Sequence, residues 1–474
     1  MNSNSVFGLV IAVALTMFLA IYTGIKGIGA HKNKGGNGSP IVAGAIMGTL
    51  VGGSSTIGTA QLAYNWGFSA WWFTLGGGIA CLILALVYTP VLRSQKVCTL
   101  TEILDLQYGR ASGLFSSVLS AVGTLLNVVS QLIAAASISA IIFPNCGSII
   151  PIVASALFMA LYVYSGGIKG AGVVGILKLG LLYAAMLTCG FLVLSRVSGL
   201  DGFISTVSKL ELETNVNYFS LVSRGISTDI GDGISMILGV LTTQTYAQAV
   251  ISGKTKHSAK VGGIISALAI PLIGVCGILV GLYMRSITDP AVFDPKMALP
   301  YFIINELPPL FGGIVLGTLF IASIGTGAGL ILGIATTIDK NIIGKLSRNG
   351  NRRSYEKPLI LIVVALASVL STGVLGDVIL NLGFMSMGLR GTVLFIPLCC
   401  ALWFRKKIPQ SFVLASIGIS PCITFIFGFF LKEVLPFDSL FAGIFASLII
   451  MGSGFAYSHI SRAKAAKSSR QIRN

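Results

Sequence analysis

Two basic residues lie inside long apolar runs of this sequence, where a charge is costly. Lys178 stands in the run Val174–Leu182, and Arg390 stands about midway along the apolar run 381–404. Ionisable residues in the middle of a bilayer are rare, and they commonly mark ion paths, proton relays or contacts to a ligand. These two side chains are therefore the first candidates for chemistry.

Lys178 is a candidate proton switch. It lies about ten residues, hence roughly 15 Å, from the end of its run, and we place the acidic residues near the ends of such runs. A buried ammonium without a carboxylate nearby tends to give up its proton. The alternative is structural, because a long lysine side chain can reach the bilayer surface or cap backbone carbonyl groups.

Arg390 is a candidate anion ligand. An arginine stays charged even when buried, so it requires an anion or several carbonyl acceptors. With no acidic residue at the same depth, the carboxylate of a solute is one candidate partner. The alternative is again structural, with Arg390 bonded to the carbonyls of a broken helix or to Asp377.

Two polar clusters predict interruptions in otherwise apolar helices. The segment Gly48–Gly58 holds adjacent glycines followed by three consecutive hydroxyl residues, and Gly239–Tyr246 holds polar β-branched residues of low helix propensity. Backbone at membrane depth leaves a helix only where it lines a cavity or binds an ion. Close packing of small residues is the alternative for the first cluster.

The elements that must position these residues are transmembrane helices. The chain has 474 residues, of which 54% are hydrophobic and 10% charged, against about 25% charged in a soluble domain. Each helix needs about 20 residues to cross the hydrocarbon core. We predict an all-α integral membrane protein with about thirteen such helices, at 6–25, 41–65, 69–92, 113–142, 149–165, 171–195, 231–251, 260–284, 310–337, 358–378, 381–404, 411–431 and 438–459.

The charge pattern orients these helices. The net charge of +17 comes from Lys and Arg in short loops on one face, which indicates a positive-inside topology instead of nucleic-acid binding. We expect the N-terminus outside, the C-terminus in the cytoplasm, and a cytoplasmic membrane of a bacterium or archaeon. No catalytic triad, phosphate loop or metal cluster is evident, so we expect neither an enzyme nor a bound cofactor, and no protein partner is indicated.

Four segments resemble the sodium:solute symporter family. Ile57–Gly67 looks like the outer half of the family's first core helix, and Thr99–Gly109 is similar to its T-x-x-E-x-L-x-x-R-Y-G segment, with Gln107 in place of arginine. Ser165–Gly167 resembles the turn before the fifth core helix, and Ala322–Asn341 resembles the eighth. The four occur in the family's order along most of the chain.

The resemblance implies the LeuT-type fold, a five-plus-five inverted repeat in which the first and sixth core helices are broken. The two predicted interruptions lie five spans apart, as this fold requires. The implied division is an extra N-terminal span within 1–30, repeats at 41–197 and 226–407, two C-terminal spans within 408–460 and a basic cytoplasmic tail at 461–474.

The resemblance also implies a sodium site between the first and eighth core helices. Carried over by position, its backbone carbonyls are those of Gly48, Val51 and Ala322. The family's hydroxyl pair falls on Gly325 and Thr326, so one hydroxyl is missing.

Two further ligand positions differ from the family pattern. The family's aspartate on the fifth core helix falls on Gly175, and a serine of its eighth falls on Ala328. These losses disfavour sodium, which needs several hard oxygen ligands. Lys178 follows Gly175 by three residues, and proton-coupled amino-acid transporters of the same fold place a lysine ammonium in the sodium position.

The implied fold places the solute near the membrane midplane, between the broken helices and the third and tenth core helices. The candidate contacts are Ser54, Ser55, Thr56, Gln61, Asn127, Gln131, Thr243, Gln244, Tyr246, Met385, Met387 and Arg390. For the polar members the alternative is hydrogen bonding between helices. Tyr64 and Trp66 are candidates for an outer gate or for interfacial anchors.

The sequence thus predicts cation-coupled symport of a small organic solute, with an anionic solute favoured by Arg390. Proton coupling through Lys178 is the first hypothesis. Sodium coupling at Gly48, Val51, Ala322 and Thr326, with a structural Lys178, is the second. A transporter-like sensor that signals through a partner is the alternative from another class.

Overall fold

A computed structural model describes most of the chain. The described residues are 2–26, 36–95, 97, 99–142, 146–147, 149–344, 355–372, 379–404, 408–430 and 437–471. Side chains are described for these residues except at 19–21, 23–26, 165–174, 429 and 462–471.

The described backbone is helical and forms no β-strand. The first helices are α1 (Ser3–Lys26), α2 (Ser39–Leu50), α3 (Thr59–Trp66), α4 (Trp72–Ile83), α5 (Thr89–Ser94), α6 (Leu100–Tyr108), α7 (Arg110–Ile142), α8 (Ile149–Arg196) and α9 (Gly199–Thr214). They are followed by α10 (Ile226–Thr242), α11 (Gln244–Ile251), α12 (Lys256–Ile287), α13 (Ala298–Glu306), α14 (Pro309–Thr337), α15 (Glu356–Ser371), α16 (Ile379–Cys399), α17 (Gln410–Phe430) and α18 (Ser439–Gln471).

Every predicted span falls on one or more of these helices. By length and hydropathy, eight helices within the described residues can cross a membrane, or nine if the bent pair α10 and α11 counts as one span. Shorter apolar helices at Ser3–Phe18, Ser39–Leu50 and Ile149–Tyr164 correspond to three further predicted spans.

The long helix α8 contains two predicted spans, 149–165 and 171–195. In a straight helix, Tyr162 and Lys178 would be separated by about 24 Å along the axis. Both side chains nevertheless lie beside Gly325 of α14. Helix α8 is therefore not straight between these two residues.

The first break lies in the predicted second span. Helix α2 ends at Leu50, Val51 is extended with φ −96° and ψ 110°, and a π-helical turn over Ser54–Gly58 leads into α3. The glycine pair after Val51 is required by close approach, because a Cβ atom on Gly53 would collide with the side chains of Ala134 and Ser323. The predicted interruption is confirmed.

The second break lies in the predicted seventh span. Helix α10 ends at Thr242, Thr243 is extended with φ −87° and ψ 126°, and α11 begins at Gln244. The two helix axes are bent by 51°. This interruption is also confirmed.

The C-terminal segment, predicted as a basic cytoplasmic tail at 461–474, begins as a helix. Helix α18 continues through this segment as far as Gln471. The residues from Ser461 to Gln471 are mainly Ala, Lys, Arg and Ser without Gly or Pro, so nothing in them stops the helix.

The close packing at the first break predicts that Gly53→Ala lowers the free energy of unfolding by about 1–3 kcal/mol, the cost of overpacking. The measurement is thermal unfolding of the purified protein in detergent. The matched control is Gly418→Ala in α17, where a Cβ atom has no neighbour within 4 Å. Equal melting temperatures for the two variants would contradict the packing account.

Candidate cation and solute site

The ammonium of Lys178 lies at the first break. Its Nζ atom donates to the carbonyl oxygen of Gly48 at 2.9 Å and to Oγ1 of Thr326 at 2.7 Å. Lys178 is 3% exposed. One side chain of α8 thus joins the end of α2 to the middle of α14.

Thr326 extends this contact to the other side of the break. Its Oγ1 lies 3.2 Å from the carbonyl oxygen of Val51 and 3.3 Å from that of Gly48. Because Oγ1 accepts from Lys178, its own hydrogen is available to one of these carbonyls.

The residues that the resemblance assigns to a cation site are therefore brought together. Gly48 and Thr326 contact the ammonium, Val51 contacts Thr326, and Gly325 lies beside the Lys178 side chain. Ala322 is fully buried one turn earlier on α14. The carbonyl cap considered as an alternative for Lys178 is present at the same position.

The break can be followed group by group, since a buried backbone group requires a partner. In an uninterrupted helix the N–H groups of Gly52 and Gly53 would bond the carbonyls of Gly48 and Thr49. Instead, Gly52 donates to Oγ of Ser55 at 2.9 Å, and Gly53 donates to Oε1 of Gln131 at 2.8 Å.

The carbonyl of Thr49 accepts from the hydroxyl of Tyr246 in α11 at 3.4 Å. The two broken helices are thus in direct contact. Three predicted solute contacts thus act as hydrogen-bond partners of the backbone groups that the break frees, namely Ser55, Gln131 and Tyr246.

Other predicted solute contacts also join helices. Gln131 donates to Oγ of Ser54 at 2.8 Å and to Oδ1 of Asn127 at 3.4 Å. Gln61 accepts from the backbone N–H of Ile379 at 3.1 Å, at the start of α16.

A local hydrogen bond holds one more of the candidates, and packing holds another. Thr56 donates to the carbonyl of Gly52 at 2.9 Å, and Met385 is half-buried against the hydrophobic core. Hydrogen bonding between helices, the alternative to a solute contact, is present for Ser54, Gln61 and Gln131.

Arg390 is fully buried and contacts the second break. Its guanidinium donates to Oγ1 of Thr243 at 2.6 Å, to the carbonyl and Oγ of Ser386 at 3.1 Å each, and to the sulfur of Met387 at 2.9 Å. No carboxylate is among its partners in the described part of the chain, and Asp377 lies outside that part.

A cavity of about 340 Å³ leads to Lys178. Its lining includes Asn37 and Ser252, which lie on the face that we expect to be cytoplasmic, and the exposed Gln248. Lys178 is the one charged residue among the described residues of this lining.

Sequence reasoning missed most of this cavity. Its lining includes Thr49, Tyr162, Thr245 and Thr336, and none of them was among the predicted site residues. The available signal was the i, i+4 spacing of Gly325, Gly329 and Gly333 on α14, because a stripe without side chains leaves space beside a helix. Thr243 and Gln244, which were predicted, line a smaller cavity next to it.

The opposite face is closed around Tyr64. Its hydroxyl is 2.8 Å from Oγ1 of Thr288, its ring stacks on Phe293 with centroids 5.6 Å apart, and the guanidinium of Arg285 lies 5.3 Å from its centroid. Trp66 is exposed instead, which is typical of an interfacial anchor. Of the two gate candidates, Tyr64 is therefore buried and Trp66 is exposed.

The comparisons with known proteins agree with this arrangement. Residues 35–406 match the model of the sodium:solute symporter family. The chain belongs to this family. It is therefore a cation-coupled membrane transporter and not an enzyme.

Two curated relatives show the range of the similarity. The high affinity choline transporter 1 of Homo sapiens is 23% identical over 426 residues, which are 83% of this chain and 72% of that protein. The sodium/sialic acid symporter SiaT of Proteus mirabilis is 22% identical over 320 residues, 64% of each protein. The chain thus spans about two thirds of the bacterial relative.

A solved structure has the same fold. A Na⁺-coupled sialic acid symporter in a substrate-bound outward-open state superimposes with a TM-score of 0.75 at 17% identity, over 97% of this chain and 98% of the other. The predicted LeuT-type fold with two broken core helices is confirmed.

The role of Gln131 as a backbone partner can be tested directly. Gln131→Leu leaves the N–H of Gly53 without its acceptor, so we expect a loss of about 1–3 kcal/mol in the free energy of unfolding. Thermal unfolding without any solute measures this loss. Gln248→Leu, at an exposed site of the cavity, is the control. An unchanged melting temperature for Gln131→Leu would indicate a solute contact instead.

Proposed function

We propose that the protein couples transport of a small organic anion to protons, with Lys178 as the coupling group and alternating access as the mechanism. One observation carries the proposal. The Lys178 ammonium donates to Gly48 and Thr326 in the position where the family resemblance implies a bound cation.

The oxygen set around this position favours an ammonium over sodium. The carbonyls of Gly48 and Val51 and the hydroxyl of Thr326 are present, whereas Gly325 supplies no hydroxyl and Gly175 no carboxylate. Hydrogen-bond acceptors in this number suit the donors of one ammonium, while sodium requires several more hard ligands.

Protonation has a structural consequence at this site. A protonated Lys178 holds α2 and α14 together through charge-assisted hydrogen bonds. Loss of the proton removes the charge and weakens both contacts. The proton would thereby shift the equilibrium between two relative positions of α2, α8 and α14. Alternating access needs such a two-state element.

The described conformation is open toward the face that carries Asn37 and Ser252 and closed at Tyr64. With the N-terminus outside, this is an inward-open state. Release of the proton and of the solute would both proceed through the same cavity, because Lys178 lines it.

The charge of the cavity favours an anionic solute. Lys178 is its charged residue, no acidic residue is among its described lining, and its volume of about 340 Å³ falls in the usual range for small ligands. A quaternary ammonium such as choline would meet no carboxylate there. The acidic solute named for the P. mirabilis relative fits this charge better.

Sodium coupling is the second candidate, because the family matches over residues 35–406 and most of the proposed ligands are backbone carbonyls. In that case Lys178 would have to withdraw from Gly48 and Thr326 before the ion enters.

The solute class is tested by a thermal-shift screen of the wild-type protein against small carboxylates, neutral solutes and quaternary ammonium compounds. We expect stabilisation by carboxylates, since they complement the charge of Lys178. Stabilisation by choline, or by no carboxylate in the panel, would contradict the anionic assignment.

The coupling ion is tested in liposomes with Lys178→Ala and a stabilising carboxylate from that screen. A pH gradient alone should drive uptake by the wild type, and the variant should lose this drive while facilitated exchange persists. Lys209→Ala in α9 is the control. If a sodium gradient alone drives uptake and Lys178→Ala still couples, sodium is the coupling ion and Lys178 is structural.

A further inference from the structure

A second, smaller cavity adjoins the Lys178 cavity. It has a volume of about 30 Å³ and is lined by hydroxyl and amide side chains of three helices, namely Ser120, Thr124, Thr243, Gln244, Thr245 and Thr337, together with Ala121, Leu330, Gly333 and Ile334. Thr245 and Gly333 line both cavities. The smaller one is called the Thr245 pocket below.

The hydroxyl of Thr245 is unusual among its neighbours. Its Oγ1 is buried and has no hydrogen-bond partner among the described residues, a situation that destabilises a folded protein. Thr124 and Thr336 satisfy theirs within their own helices, on the carbonyls of Ser120 and Leu332. Thr245 has no such carbonyl, because the chain is extended at Thr243, just before α11 begins.

The break thus leaves an unsatisfied hydroxyl on a residue that lines the Thr245 pocket. Its position is fixed by the fold, since α11 is held through the contact of Tyr246 with Thr49. A buried polar atom of this kind points to a group that is absent from the protein itself, either a water molecule or part of a ligand.

The surroundings favour an anionic group. No acidic residue is among the described lining of the pocket. Arg390 donates to Oγ1 of Thr243 at 2.6 Å. A buried positive charge therefore lies next to the side of the pocket that Thr243 forms. In this position the guanidinium raises the potential of the pocket without being exposed to it.

The size of the pocket limits what enters. A volume of about 30 Å³ is room for a single small polar group and not for a whole solute. The remainder of the molecule would lie in the adjoining cavity of about 340 Å³, which contains Lys178.

We propose that the Thr245 pocket is a subsite for the anionic end of the transported solute, with the hydroxyl of Thr245 as the ligand. Arg390, which is held on the hydroxyl of Thr243, supplies the charge behind it. The proposal rests on the proposed transport of an organic anion. It gives Arg390 an indirect role in solute selection and assigns the buried hydroxyl of Thr245 its partner.

Charge and access are tested with Thr245→Cys and two methanethiosulfonate reagents, one bearing a sulfonate and one a trimethylammonium group. Labelling of each cysteine in detergent is followed by peptide mass spectrometry. The ratio of sulfonate to trimethylammonium rates should be at least about tenfold higher at the introduced cysteine than at the exposed native Cys146. Millimolar acetate should slow labelling of the introduced cysteine.

Thr336→Cys is the matched control, because Thr336 lines only the larger cavity. We expect acetate to protect this variant less than Thr245→Cys. An equal or lower rate ratio in Thr245→Cys, absence of reaction there, or no protection by acetate would each overturn the subsite and leave a water-filled pocket.

A second pair of variants does not depend on the behaviour of an introduced cysteine. Thr245→Val should abolish the thermal stabilisation that acetate produces, and Thr245→Ser, which keeps the hydroxyl, should retain it. Equal stabilisation in the two variants would overturn the proposal.

The two levels of the proposal can fail separately. If carboxylates stabilise the wild type and acetate does not protect Thr245→Cys from labelling, the subsite is wrong and anion transport stands. If choline stabilises the protein instead, the proposed solute class is wrong whatever the labelling of Thr245→Cys shows.

Discussion

Backbone groups that leave a helix at membrane depth must find partners inside the protein, and this constraint organises the centre of the molecule. The interruption after Leu50 frees donors and acceptors that water would satisfy in a soluble protein. Lys178, Thr326 and Gln131 supply the partners instead. The same contacts that make the break tolerable also bring three helices to one point, where a change of one proton alters two hydrogen bonds.

The two broken helices are connected at more than this point. Beside the bond from Tyr246 to Thr49, the backbone of Asn37 exchanges hydrogen bonds with Ser252 and Lys254 at 2.9 and 2.7 Å. Arg93 caps the end of α11 by donating to carbonyls there, including that of Gly253 at 2.6 Å. The inner halves α2 and α11 are therefore coupled to each other, so a shift at Lys178 can be passed to the second break.

The face that carries Tyr64 has a different kind of connection. Arg224 pairs with Asp229 at 2.6 Å and with Asp232 at 2.8 Å, and Ser69 donates to Asp229. These groups join the start of α10 to the turn before α4, next to the closed region around Tyr64. Arg224 is thus paired with acids, whereas Lys178 and Arg390 have hydroxyl, carbonyl and sulfur partners among the described residues. Cations left without a carboxylate are a natural place for an anion to bind.

The sequence by itself determined the spans, the two breaks and the two interior cations, because apolar length, glycine pairs and lone charges are local properties. The resemblance of its motifs also predicted the family. Carried over by position, this resemblance predicted that Gly48, Val51 and Thr326 lie close together. Only the tertiary structure decided which polar side chains are taken up by the breaks, as with Gln131, and which hydroxyl is left over, as with Thr245. A hydrogen-bond partner far along the chain depends on how helices pack, and hydropathy and spacing carry no information about that packing.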